Sequence, residues 1–152
     1  MKKNDNEDPA RSLDRRSPAQ YERAAHSVVP TAARLRHERR VRTLYELTGA
    51  DPARIRTLAH AFIKANDIDM GRVQVLHASN DRAALRQLAH RIKGAAQMTG
   101  DAQLSRLCSV LSEACLESQG DLLSLDAIVL QLHDALKEFG ESCRRMAFDA
   151  QP

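Results

Sequence analysis

Residues 84–99 read ALRQLAHRIKGAAQMT. On a helix that turns about 100° per residue, the apolar positions of this stretch fall on one side. They are Leu85, Leu88, Ala89, Ile92, Ala95, Ala96 and, at the end, Thr99. Spacing of i, i+3, i+4 and i+7 is typical of a helix that buries one face against a core. The stretch therefore predicts a core-forming amphipathic helix.

His90 lies on the opposite side of this predicted helix, about 160° from the centre of the apolar stripe. Lys93, Gly94 and Gln97 follow it at i+3, i+4 and i+7, so they surround it on the same outer face. A neutral imidazole is a good nucleophile near pH 7, and a lysine one turn away supplies a positive charge. This group predicts a docking surface with a nucleophile at its centre.

The composition of the whole chain is that of a helical protein. Of its 152 residues, 43% are hydrophobic but only 3% are aromatic, and runs of β-branched residues are absent. Leu and Ala dominate instead, which favours helices over strands. No apolar run approaches the roughly 20 residues of a membrane span, and no signal-peptide core follows the polar start. We expect a cytoplasmic all-α protein with one domain and a tail.

Four amphipathic helices are predicted in residues 51–148. Asp51 and Pro52 open the first, with the aspartate as N-cap and the proline at the first helical position. Short turn signals separate the others, at Ser79-Asn80-Asp81, Thr99-Gly100-Asp101 and Gln119-Gly120-Asp121. Four such helices with short connections predict an antiparallel up-down-up-down four-helix bundle.

The first of these helices carries two polar residues on its apolar stripe. The stripe consists of Ile55, Leu58, Ala59, Phe62, Ala65, Val73 and Leu76. Asn66 and Asp69 interrupt it. We therefore expect the middle of this helix to kink or to meet water.

Two segments precede the predicted bundle. Residues 1–30 are polar, contain three prolines and show no sustained period, so they are expected to be a disordered tail. Residues 31–50 are predicted to form a short extra helix that Gly49 ends. Its first half, Arg34 to Arg40, is so basic that we expect a solvated face, with only the end of the helix packed.

The positive charge of the chain is concentrated near its start. Residues 1–40 hold ten Lys and Arg against six Asp and Glu, and the remainder holds thirteen against fourteen. The pI of 9.0 therefore reflects the N-terminal segments. It does not indicate that the folded body binds nucleic acid.

The cysteines and histidines predict neither disulfides nor a metal site. Cys108 and Cys115 are seven residues apart on one predicted helix, about 10 Å along its axis and too far to bridge. Cys143 lies on another apolar stripe, so all three are expected to be reduced thiols. No HExxH or CxxC spacing is present, and we expect no metal and no cofactor.

The stretch from His90 to Glu113 resembles the histidine-containing phosphotransfer (Hpt) family of two-component phosphorelays. The typical sequence of that family begins approximately with AH-x-[LI]-KG-[AS]. A Gly follows ten residues after the His, a Leu comes four residues further, and C-x-x-LE completes the pattern. The matching residues here are Ala89-His90, Ile92-Lys93-Gly94-Ala95, Gly100, Leu104, Cys108 and Leu111. Residues 44–52 and Phe62 are also similar to the family, so the resemblance covers about residues 41–146. The sequence around His90 is most similar to that of the Hpt modules at the end of unorthodox hybrid sensor kinases.

The resemblance implies a phosphorelay carrier. His90 would accept a phosphoryl group from an aspartyl phosphate on a receiver domain and pass it to another receiver, while Lys93 offsets the charge of the phosphate. The side chains implied to face the receiver are those of Gln97, Arg86 and Ala83, together with the bare backbone at Gly94.

The partners that the resemblance implies are response-regulator receiver domains, each with its own Mg²⁺, and a hybrid sensor kinase is a further candidate. The chain itself would be a monomeric carrier with no ATP site and no cofactor. The receiver would supply most of the catalysis, because phosphoryl transfer depends mainly on positioning and electrostatics. Nucleic acid and membrane are not expected as partners.

Two positions depart from the family pattern. Asp101 stands where the family usually has alanine, which we expect to be a turn change of little consequence. Ser112 stands in the Glu/Gln slot whose side chain, in the family, helps to orient the active imidazole. This departure keeps a second interpretation open, in which the chain is an Hpt-like interaction module that binds or sequesters a receiver without efficient transfer. A fragment of a sensor kinase is disfavoured, because those carry an acidic residue directly after the His, where this chain has Arg91.

Overall fold

The computed structural model describes residues 30–117 and 122–151. That part of the chain contains five helices and no strands, which confirms the predicted all-α class. The helices are α1 (Ala32–Thr48), α2 (Pro52–Ala78), α3 (Arg82–Met98), α4 (Ala102–Leu116) and α5 (Leu122–Asp149). Residues 1–29 of the predicted tail and the predicted turn at residues 119–121 lie outside the described residues. None of the helices described is long and apolar enough to cross a membrane.

Local capping sets where the helices begin and end. The carboxylates of Asp51, Asp81 and Asp101 accept hydrogen bonds from backbone amides two or three residues later, at 2.8 to 3.2 Å. Such caps satisfy amides that have no partner in the first turn. Gly49 ends α1 in the left-handed region, with φ 64°, which glycine adopts without steric cost.

Helices α2 to α5 form the bundle. Helix α3 packs against α2 and α4, and α5 packs against the same two, so α3 and α5 lie diagonally across the core. The predicted stripes of α3, α4 and α5 supply most of the buried residues; the largest of them are Leu85, Leu88, Ile92, Leu104, Leu111, Leu132, Leu136, Phe139 and Met146. These four helices display the outer face of α3 on the surface of the bundle.

The centre of α2 differs from its prediction. The helix runs unbroken from Pro52 to Ala78, and Asn66 and Asp69 are only 4% and 6% exposed. The expected contact with solvent is therefore wrong, because both side chains are buried. Asn66 Nδ2 donates to the carbonyl of Leu136 on α5 at 3.1 Å, and Asp69 pairs with Arg91 on α3. Both side chains contact another helix from a buried position, although Asn66 Oδ1 accepts no hydrogen bond from the described residues.

The prediction of a solvated basic face on α1 is wrong for two of its arginines. Arg40 is 2% exposed; its Nε donates to Asp101 Oδ2 at 2.8 Å, and its Nη2 contacts both Asp101 and Glu138. Arg36 donates two hydrogen bonds to Glu138, at 2.8 and 2.7 Å. These bonds lower the pKa of Glu138, so its ionic bridge is lost only as the pH falls through that lowered value.

Asp101 is responsible for this burial, and the expectation that it is of little consequence is wrong. Its Oδ1 accepts from the amide of Leu104 as the N-cap of α4, while its Oδ2 accepts from Arg40 of α1. An alanine at this position has no carboxylate for either partner. The chain also comes close here, because a Cβ on Gly100 (φ +68°) would lie 2.7 Å from Thr43 Oγ1. Asp101 thereby fastens α1 to the junction of α3 and α4.

We expect Asp101→Ala to lower the free energy of unfolding by about 3–5 kcal/mol, because it leaves the buried Arg40 charge without its main partner and removes a helix cap. Urea denaturation followed by circular dichroism measures this loss. The double variant Arg40→Met/Asp101→Ala should be more stable than Asp101→Ala alone, since no unpaired charge stays buried. A loss below about 1 kcal/mol in the single variant would contradict this role of the ion pair.

Candidate functional site

His90 lies at the middle of α3, on the side away from the core. The residues on either side of it in the apolar stripe, Ala89 and Ile92, are 0% and 2% exposed, so the imidazole is directed to the surface. It borders a cleft of about 720 Å³ between α3 and α4. The cleft is lined by Ala83, Arg86, Gln87, His90 and Lys93 of α3 and by Ser109, Ser112 and Glu113 of α4.

The structure brings together five of the seven residues that the sequence nominated. His90, Lys93, Arg86, Ala83 and Ser112 all line this one cleft. The other two do not line it, but they are exposed on α3 one and two turns after His90; they are Gly94 and Gln97.

Three further lining residues were missed by the sequence analysis: Gln87, Ser109 and Glu113. Gln87 precedes His90 by three residues and shares its face of the helix, so this spacing could have predicted it as a site residue. The two residues of α4 gave no such signal. They line the same cleft as His90 because α4 packs beside α3.

Positive charge flanks His90 along its own helix. Arg86 at i−4 and Lys93 at i+3 lie about one turn to either side, and both line the cleft. Within the described residues, neither side chain makes a hydrogen bond or ion pair, and neither does Glu113, the one carboxylate among the lining residues. Two cations without fixed partners can stabilise a doubly charged phosphoryl group between them.

The imidazole of His90 makes no hydrogen bond to a side chain in the part of the chain described. Ser112 lines the cleft, is half-buried and makes no hydrogen bond there either. Ser112, at the position predicted to orient the imidazole, thus lines the same cleft as His90, but its hydroxyl makes no hydrogen bond to the ring. His90 is exposed, and neither of its ring nitrogens is engaged in a hydrogen bond within the described residues.

The two buried thiols, Cys108 and Cys143, are not competing nucleophiles. Burial raises the pKa of Cys108, on the core side of α4, to about 12, although the nearby charge of Lys93 opposes this. Burial raises the pKa of Cys143 to about 12 as well. Because the thiolate is the reactive form, both side chains stay neutral and unreactive near pH 7. No group of three or more His, Cys, Asp and Glu residues in the described ranges could hold a metal ion.

Comparison with protein families gives a match to the Hpt domain over residues 46–142. The chain belongs to the Hpt domain family. Hpt domains carry a phosphoryl group on a histidine in phosphorelays; they act as carriers and interact with the receiver domains of response regulators. The resemblance read from the sequence is thereby confirmed at the level of the family, while the likeness to the modules of hybrid kinases stays a prediction. No curated protein and no solved structure matches the chain significantly.

Gly94 has no structural reason to be glycine. It is exposed, its φ is not in the left-handed region, and an added Cβ would contact nothing within 4 Å. A glycine inside a helix costs about 1 kcal/mol relative to alanine. Gly94 leaves open space on the outer face of α3, one turn after His90.

We expect Gly94→Ala to raise the free energy of unfolding by up to about 1 kcal/mol, since only helix propensity changes. Gly100→Ala is the matched contrast; it should destabilise the protein, because φ is +68° there and the new Cβ would clash with Thr43. Thermal or urea denaturation of both variants measures the difference. A Gly94→Ala protein less stable than the wild type would show that packing requires this glycine.

Proposed function

We propose that this Hpt domain accepts a phosphoryl group on His90 from the aspartyl phosphate of a receiver domain and passes it to a second receiver. The observation that carries the proposal is the exposed imidazole between Arg86 and Lys93, at a cleft on the outer face of α3. The opposite face of α3 is buried in the core. His90, on the exposed face, is the nucleophile that a partner can reach.

The transfer requires little of this chain beyond an exposed imidazole and positive charge beside it. A ring nitrogen of neutral His90 attacks the phosphorus, the P–N bond forms, and the P–O bond to the receiver's aspartate breaks, which releases the carboxylate. The receiver's own Mg²⁺ supplies the Lewis acid. Lys93 and Arg86 then stabilise the phosphoryl group on the imidazole, because both are within one turn of it. Transfer to the second receiver is the reverse of this step.

The receiver would dock over the outer face of α3. Gly94 leaves room for its backbone to approach, and Gln97, Arg86 and Ala83 provide the surrounding contacts. In this role the chain is a monomeric carrier without an ATP site of its own, and a hybrid sensor kinase is a candidate source of the phosphoryl group.

Ser112 supports a second candidate function, a module that binds or sequesters a receiver without efficient transfer. Within the described residues its hydroxyl makes no hydrogen bond to His90, so the ring lacks the orienting partner that the family places in this slot. An imidazole without an orienting hydrogen bond would lose more conformational entropy when it adopts the reactive geometry.

The decisive test is His90→Gln. This exposed substitution should leave helical content and melting temperature unchanged, and it should abolish acceptance of label from a phosphorylated receiver. Acid-labile radioactivity on the protein after mixing measures acceptance, and circular dichroism measures folding. Undiminished label on a folded His90→Gln protein would refute the site, and absence of label on the wild type would favour the binding module.

Ser112→Gln tests whether the ring is loosely held. A glutamine that hydrogen-bonds the non-reacting ring nitrogen would contribute roughly 0.5–1.5 kcal/mol, which corresponds to a two- to tenfold faster acceptance. Single-turnover transfer at saturating receiver measures the rate for both proteins. An equal or slower variant would mean that the receiver itself orients His90 when it docks.

A further inference from the structure

A second cleft lies on α4 beside the one that contains His90. Its volume is about 410 Å³, and its lining comes from α1, α4 and the turn between α3 and α4: Arg36, Arg39, Gly100, Asp101, Ala102, Gln103 and Arg106. Ala102 and Arg106 of this cleft share a stripe of α4 with Ser109 and Glu113 of the first, at i, i+4, i+7 and i+11. Arg106 precedes Ser109 by three residues, so the two clefts are about one helical turn, roughly 5 Å, apart along α4.

Two positive charges in the second cleft are not neutralised within the described part of the chain. Arg36 is bound to Glu138, and Asp101 is bound to the buried Arg40. The side chains of Arg39 and Arg106 are exposed and make no hydrogen bond or ion pair in the residues described. The cleft therefore presents two guanidinium groups, and guanidinium binds carboxylates with two parallel hydrogen bonds.

We propose that Arg39 and Arg106 form a second contact for the receiver domain that docks on His90, and that they bind carboxylates at the edge of the receiver's docking face. This inference rests on the proposed function and deepens it by naming what recognises the partner. The two clefts together span about 16 Å of α4, from Ala102 to Glu113. A standard interface of about 800 Å² per partner is roughly 30 Å across, so one receiver covers both.

The chemistry of the partner agrees with these charges. A receiver must hold Mg²⁺ beside its reacting aspartate, and magnesium sites are built from carboxylates, so the docking face of a receiver is acidic. The charges of Arg39 and Arg106 would attract and orient that face while His90 meets the aspartyl phosphate. Such contacts act on encounter rate and affinity and leave the chemical step to His90 and Mg²⁺.

The structure also accounts for how Arg39 reaches this position. It is the neighbour in sequence of Arg40, whose buried bond to Asp101 fixes α1 against the start of α4. Helix α1 is thus part of the recognition surface and is more than a cover for the bundle.

The test uses the full chain with Arg39→Glu, Arg106→Glu and both together. The control is Lys137→Glu, at an exposed residue of α5 whose side chain makes no hydrogen bond or ion pair in the described residues. This substitution changes the net charge as much as each single arginine substitution does. Calorimetric titration with the receiver that transfers fastest should give Kd values raised about 3- to 10-fold by each single change at 50 mM NaCl, and more by the double change. The difference should shrink at 500 mM NaCl, because salt screens exposed charges. Lys137→Glu should bind within twofold of the wild type.

A small donor separates this inference from the proposed function. Phosphoramidate can phosphorylate an exposed histidine without a docked protein, so all four variants should accept label from it as the wild type does. Unchanged receiver affinity in the double variant, with normal transfer by the wild type, would overturn the second contact alone. A wild-type chain that binds no receiver would overturn both. The same proteins are titrated with double-stranded DNA. Wild-type binding that the double variant loses, with its receiver affinity unchanged, would assign the cleft to nucleic acid and overturn the inference.

Discussion

The burial of one stripe of α3 is the constraint on which the site depends. Leu85, Leu88, Ala89 and Ile92 are at most 5% exposed, and the last three belong to the core that α2, α4 and α5 complete. A helix has no freedom to turn about its axis once such a stripe is packed, because any rotation would expose apolar area and open cavities. The same packing that stabilises the bundle therefore fixes the direction of His90. Display of the imidazole needs no dedicated structure of its own.

A second constraint is the buried pair of Arg40 and Asp101. A buried ion pair contributes little net stability compared with apolar packing, but removing one partner is costly, so it specifies an arrangement more than it strengthens it. Here the pair joins residues 61 positions apart and lies against the ring of Phe139 on α5. It gives α1 one defined position on the bundle. That position brings Arg39 beside Arg106 and creates the basic cleft next to the site.

Two features determine the reactivity of the site: other reactive groups are buried or already have partners, and positive charge lies beside His90. Burial keeps the Cys108 and Cys143 thiols protonated, and the caps and ion pairs occupy the carboxylates of Asp51, Asp81, Asp101 and Glu138. Arg86 and Lys93, in contrast, have no partner in the described residues and lie one turn to either side of His90. The protein thus keeps its neutralised charges at helix ends and helix contacts. In the proposed function, Arg86 and Lys93 would meet the arriving phosphoryl group, and Gly94 would keep that approach open at a cost in helix propensity.

The sequence by itself determined the features that a single helix or turn controls. Apolar spacing predicted the all-α class and the buried stripes, and the aspartate caps and Gly49 predicted the helix boundaries. The core of the site was predicted from His90, Lys93, Gly94 and Gln97, since these four are on one face of one helix. Tertiary structure alone decided the rest. The basic run of α1 was interpreted as solvated because nothing local shows that Asp101 and Glu138 lie opposite Arg40 and Arg36. Likewise, Asn66 and Asp69 are inside because Leu136 and Arg91 reach them from other helices, and Ser109 and Glu113 join the cleft because α4 packs beside α3. Periodicity and capping act between residues a few positions apart, whereas the partner of a buried charge can be anywhere in the chain.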